Sequence, residues 1–282
     1  MPEIFQLDFM VRAFIAGGVV GASAPMLGMF LVLRRLSLIA ETLAHVAITG
    51  AAIGLFLGHF PVMVAVVVAA TGAVVLERLR STRWMASDSA MATVLYTALA
   101  VALVLVSWGN QLSVSLLGYL FGNIVTVGTI DVWATVVAGC FVLVLVGMLY
   151  SELVQSTFDA DLAQVSGVPV GRTNMLLALL TGVMVTLSMR VVGGLMVGAL
   201  VVFPVLAALQ LHQGFRVTLL VASFMGVVSV FAGLVVSFYQ DVAASGAIVL
   251  TALLILVVVT VLRTMWTFKV SQSTYVRPSK LR

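Results

Sequence analysis

The gaps between this chain's charged residues decide what it can fold into. Residues 13–33, 42–76, 89–130, 132–151, 173–189, 191–215, 217–240 and 242–262 contain no Lys, Arg, Asp or Glu. A helix crosses a bilayer with about 20 apolar residues, and it satisfies its own backbone N–H and C=O groups while doing so. Gly58-His59-Phe60-Pro61 breaks the second gap, and the third divides into a clear apolar segment and a softer one. Pattern and length then give nine spans, at 11–33, 37–58, 61–78, 90–108, 130–150, 173–189, 191–211, 217–238 and 244–263. The chain reads as an all-α integral membrane protein with residues 1–282 in a single transmembrane domain.

Composition excludes the other classes. Only 9% of residues are charged, against about 25% in a soluble domain, and mean hydropathy is +1.24. A soluble enzyme, a disordered chain and a nucleic-acid binder are ruled out. The single cysteine, Cys140, lies in an apolar run, so neither an internal disulfide nor a cysteine metal cage can form. Glu3 and Asp8 stand where a signal peptide carries basic residues, so a cleaved leader is not expected.

Segment 111–128, with Gln111, Ser113, Ser115, Asn123 and two glycines, is too polar for a clear span. It reads as an interfacial or re-entrant helix, with a tenth span as the alternative. Nine spans with the C-terminus inside place Arg34, Arg35, Arg78, Arg80, Arg83, Arg172, Arg216, Arg263, Lys269, Arg277, Lys280 and Arg282 on the cytoplasmic side. Only Arg12 and Arg190 fall outside, so positive charge sets the N-terminus out and accounts for the basic pI of about 9.6. Trp84, Trp108, Trp133 and Trp266 fall at span ends, as an interfacial aromatic belt requires. Gly17/Gly21 and Gly194/Gly198 have the small-x-x-x-small spacing of close helix crossings. Pro25 and Pro204 lie inside spans and are expected to bend them.

Polar residues inside the spans carry the functional signal. Ser37, Glu41, His45 and Thr49 recur every four residues, one lane on an apolar helix. An intramembrane ionisable pair is costly and by default marks a pathway. A carboxylate and an imidazole suit Zn²⁺ or Mn²⁺; alternatively Glu41 and His45 bond only to each other and hold helices together. His59 and His212 lie in loops and read as solvated. Asp241 opens the last span, either as a helix N-cap or as a carboxylate lining the mouth of a path.

The polar inner loop 152–172 is long enough to carry its own short helix. Asp159 can cap it, Gly167 can end it in a left-handed turn and Pro169 prevents its continuation. It is either a docking element or a connector. No G-x-x-x-x-G-K-[ST] phosphate loop occurs, and the only lysines are Lys269 and Lys280. If ATP drives this chain, another subunit hydrolyses it.

These residues resemble the permease subunit of the ATP-binding-cassette importers for zinc and manganese. The similarity runs in order along nearly the whole chain: FLVLRRLSLIAETLAHVAITGAAIGLFLG (30–58), LLGYLFGNIVTV (116–127), FDADLAQVSGVPV (158–170), RVVGGLMVGALVVFPVLAA (190–208) and YQDVAASGAIVL (239–250). The resemblance implies a homodimeric permease that hydrolyses nothing itself and holds no resident cofactor. It also implies two cytoplasmic ATP-binding subunits, an extracytoplasmic metal-binding protein and a place in the bacterial plasma membrane. The family's acid-x-x-x-His pair, thought to contact the metal, falls on Glu41 and His45; the family usually has Asp where this chain has Glu41. Asp161-Leu162-Ala163 followed by Gly167 resembles the family's ATPase-coupling motif. The family often has Pro after the position of Asp241, where this chain has Val242. The Thr-Leu-Ala-His context is closer to zinc members, while manganese, or iron, remains the alternative ion. A proton- or sodium-coupled secondary transporter using Glu41 as carrier is the competing class; no internal repeat supports it.

Overall fold

A computed structural model describes residues 3–58, 60–82, 85–108, 112–122, 127–194 and 196–275. His59, Arg83, Trp84, Gln111, Asn123, Arg277, Lys280 and Arg282 lie outside the described residues, as do the side chains of Ser113, Ser115, Trp266 and Lys269. The described residues are helical, with no strand. In chain order the helices are α1 (Asp8–Leu33), α2 (Ile39–Phe56), α3 (Pro61–Ser81), α4 (Ser87–Trp108), α5 (Leu112–Phe121), α6 (Thr129–Met148), α7 (Tyr150–Phe158), α8 (Ala160–Val165), α9 (Val170–Val192), α10 (Val197–Leu209), α11 (Phe215–Gln240) and α12 (Ala244–Tyr275).

Eight of these helices are long and apolar enough to cross a membrane: α1, α2, α3, α4, α6, α9, α11 and α12. The span expected at 191–211 differs. Its first residues belong to α9, the chain breaks at Gly193, and α10 has only 13 residues. That is about 20 Å of helix, short of the hydrocarbon thickness. Segment 111–128 contains the ten-residue α5, which is too short to cross.

One contact accounts for both the break in 191–211 and the short helix in 111–128, the second of which is the non-spanning helix expected there. Gly193 and Gly122 have φ of +86° and +69°, a left-handed region that side chains rarely adopt. They also face each other: a Cβ on Gly122 would stand 2.8 Å from the Gly193 nitrogen, and one on Gly193 would stand 2.7 Å from the Phe121 carbonyl carbon. The Gly194 N–H donates to the Tyr119 carbonyl at 2.9 Å. The end of α5 is therefore docked into the α9–α10 break, and it takes up a backbone donor that the break leaves free.

α1, α2 and α9 are mostly buried, while only about a quarter of the residues in the apolar stretches of α3, α4, α6 and α12 are, which leaves these helices at the periphery of the bundle. Gly17 and Gly21 form the expected close crossing, Gly17 against Val230 and Gly21 against Gly226 of α11. Pro25 has no N–H to bond the Gly21 carbonyl, and that oxygen lies where a Cβ on Gly226 would come within 2.1 Å. Helices α1 and α11 approach this closely only because glycine faces glycine. Trp108 and Trp133 are exposed at the end of α4 and the start of α6, as an aromatic belt would place them.

Candidate functional site

Helix α2 starts at Ile39, later than the expected span, because Arg35 turns the chain with φ of +60° and the Leu36 N–H returns to the Leu31 carbonyl at 2.8 Å. Ser37 therefore lies in the turn before α2 and does not continue the helical lane. The later start puts Glu41 in the first turn, where the free N–H groups and the helix dipole favour a carboxylate. His45 Nε2 stands 3.3 Å from Glu41 Oε1, with the side chains 14% and 31% exposed respectively. The i,i+4 pair thus keeps an accessible side while most of its helix is buried.

Helix α10 supplies the facing wall. A Cβ on Gly198 would stand 2.7 Å from Glu41 Oε2, so the absence of a side chain there leaves room for the carboxylate. Gly194, expected to pair with Gly198 in a helix crossing, sits in the break before α10 and faces Ile48 of α2. Thr49 is buried, and its hydroxyl lies 2.9 Å from the His45 carbonyl and 2.7 Å from the Ala98 carbonyl of α4. It ties α2 to α4 rather than opening the lane outward. Among the described residues no cluster of three or more His, Cys, Asp or Glu could hold a metal.

Asp241 departs from the expected N-cap. It is the C-cap of α11, exposed, with a left-handed φ of +52°, and α12 begins three residues later at Ala244. Asp and Asn tolerate that conformation better than most side chains. The loop helix does form. Asp159 Oδ1 accepts from the Leu162 N–H at 2.9 Å, and Gly167 has φ of +88° with the Val168 N–H returning to Ala163 O at 3.0 Å. Ala163 is only 2% exposed, so it anchors α8 on the bundle, whereas Leu162 and Val165 point away from it.

Two charged clusters escaped the sequence reading. Arg190, at the end of α9, pairs with Asp131 at 2.5 Å and lies over the Tyr119 ring at 5.4 Å. Asp131 also accepts from the Gly128 N–H at 3.0 Å. The signal was available: two lone opposite charges, one at the start of α6 and one at the end of α9. At the other end, burial pulls the Arg34 guanidinium down to about 10 while Glu77 works in the opposite direction, so it stays charged at neutral pH.

This is a multi-pass helical membrane protein with a carboxylate–imidazole pair set between its helices. Residues 6–263 match the ABC 3 transport family, and the chain belongs to that family. It is 30% identical over 250 residues to the manganese transport system membrane protein MntC of Halalkalibacterium halodurans, covering 89% of this chain and 86% of that one. It is 26% identical over 245 residues to the high-affinity zinc uptake system membrane protein ZnuB of Haemophilus influenzae, covering 87% and 94%. Among solved structures, PsaBC from Streptococcus pneumoniae in complex with Fab superposes with a TM-score of 0.81 at 27% identity, over 91% of this chain and 92% of that one.

Proposed function

We propose that residues 1–282 act as one permease domain of an ATP-driven importer of a divalent transition metal, with zinc as the ion. The observation that carries this reading is the partly accessible Glu41–His45 pair facing Gly198. Two ligands fall short of the four that close a structural zinc site, and an ion in transit must leave as readily as it enters. Water, or the same pair from a second copy, completes the shell. In this reading Asp241, exposed where α11 ends, attracts cations to the mouth of the path, while Ser37 and Thr49 do not line it. Manganese is the second reading, favoured by the relative named for manganese at 30% identity.

The partners follow from what the chain lacks and what its family does. Two cytoplasmic ATP-binding subunits supply hydrolysis and dock at Asp159, Asp161, Leu162, Ala163 and Gly167. A second copy of the chain completes the path, and an extracytoplasmic metal-binding protein delivers the ion to the plasma membrane. The N-terminus lies outside and the C-terminus in the cytoplasm, with α10 and the break at Gly193 together carrying the chain back inward between the end of α9 and the start of α11. Arg34, Arg80, Arg172 and Arg216 all fall at the helix ends that this orientation places inside. A reporter fused after Arg282 should read cytoplasmic; an external reading inverts the topology.

Cells stripped of their own zinc and manganese uptake, given this chain with its ATPase and binding protein, should accumulate zinc above manganese. Accumulation of manganese alone moves the ion to the second reading. Accumulation that persists without the ATPase sinks the importer reading and favours the ion-coupled transporter.

A further inference from the structure

At the end of α1, Arg34 uses its whole guanidinium fork. Its Nε donates to Thr157 Oγ1 at 2.9 Å, and one terminal nitrogen donates to Ser156 Oγ at 2.8 Å and to the Leu153 carbonyl at 3.3 Å. The other terminal nitrogen donates to Asn174 Oδ1. Three acceptors thus lie on α7 and the fourth on α9, the two helices between which α8 is slung. Arg34 therefore holds both ends of the arm that carries α8.

The same residue shares a small void with the start of α2. Arg34, Leu36, Ile39, Arg80, Asn174 and Leu177 are among the residues that close around a void of about 10 Å³, no larger than one water. Ile39 is the first residue of α2, and Glu41 follows in the same turn. Side chains closed around so small a void move together, because packed interiors are stiff. On α3, Arg80 pairs with Glu77 at 2.5 Å and donates to Ser87 Oγ of α4 at 3.0 Å, which braces the far side of the void.

We infer that Arg34 is a positioning residue that carries displacement of the α7–α8 arm to the metal-bearing first turn of α2. The inference rests on the reading that an ATPase docks at α8. A planar fork with four acceptors holds direction as well as distance, which a single hydrogen bond does not. Movement of the arm by the ATPase then shifts the α1–α2 corner, and with it Glu41 against Gly198. Arg34 touches no metal in this scheme; it acts only through α2.

The test uses the assembled permease–ATPase complex in liposomes, with metal uptake and ATP hydrolysis measured together. In Arg34→Lys, which keeps the charge and loses the fork, metal moved per ATP should fall roughly 3- to 30-fold, while assembly and hydrolysis persist. The acceptor-side variant Thr157→Val combined with Asn174→Leu should lose coupling in the same way, and Thr157→Ser, which keeps the hydroxyl, should retain it. If Arg34→Lys fails to assemble, the acceptor-side variants decide. An unchanged ratio of metal to ATP in the Thr157→Val, Asn174→Leu complex, with wild type strictly ATP-dependent, overturns the inference alone. Wild-type uptake that ignores ATP overturns the inference together with the reading beneath it.

Discussion

Metal uptake should fall at least about tenfold in His45→Ala, since loss of even an outer-shell partner costs a metal site 10- to 100-fold. Assembly with the ATPase should be unaffected, because His45 lies on α2 and makes no contact that builds the α8 arm. Glu41→Gln should be impaired to a similar degree, keeping shape while losing charge. Glu41→Asp should be tolerated, since it restores the acid usual in the family. Gly198 sharpens the argument. A methyl group there would stand 2.7 Å from Glu41 Oε2, so Gly198→Ala must push the carboxylate aside. Gly198→Ala should therefore reduce uptake, and adding Glu41→Asp, one methylene shorter, should recover part of it. A helix-packing pair predicts the reverse order, with Glu41→Gln harmless and the double change no better than Gly198→Ala. Normal transport by both Glu41→Gln and His45→Ala would show that the two residues only hold helices together.

How much of this was legible in the sequence depends on the range of the interaction concerned. The long helices follow from uninterrupted apolar runs, a local property, and eight of them stand where the gaps between charges put them. Helix α8 was legible for the same reason: Asp159 and Gly167 act on backbone groups within a few residues. The break at Gly193 was not, because its cause is Gly122, some seventy residues away in sequence, and hydropathy does not register a docking contact. Ser37 fell out of the lane through the left-handed turn at Arg35, where a non-glycine residue takes a conformation that patterns do not forecast. Asp241 was misread for a related reason: the same side chain suits an N-cap and a left-handed C-cap, and only the start of α12 at Ala244 separates them. The pairing of Arg190 with Asp131, and the fork of Arg34, join residues far apart in the chain. For the candidate site, spacing gave the Glu41–His45 pair and left its wall, Gly198, to the fold.

Replacing both Leu162 and Val165 with Asp should weaken binding of the ATPase subunit by at least about 30-fold, the loss expected when an interface anchor worth 2 kcal/mol is removed. The two side chains are 63% and 87% exposed and three residues apart, so they share one face of α8. The helix around them is polar, with Asp159, Asp161, Gln164 and Ser166, which places this face in water rather than lipid. Exposed apolar side chains on an ordered, capped element in water mark a surface that a partner covers. Ala163 gives the control. It is 2% exposed and packed on the bundle, so Ala163→Arg would unseat α8 itself and report on folding as much as on docking. Leu162→Asp and Val165→Asp leave that anchor untouched. Asp159→Ala removes one cap, worth about 1 kcal/mol, and should weaken docking by less than the double change. The measurement is the affinity of purified ATPase for the permease in detergent, with helicity and thermal unfolding recorded for each variant. Equal affinity for wild type and a folded Leu162→Asp, Val165→Asp permease would mean that α8 is a connector and that the ATPase docks elsewhere.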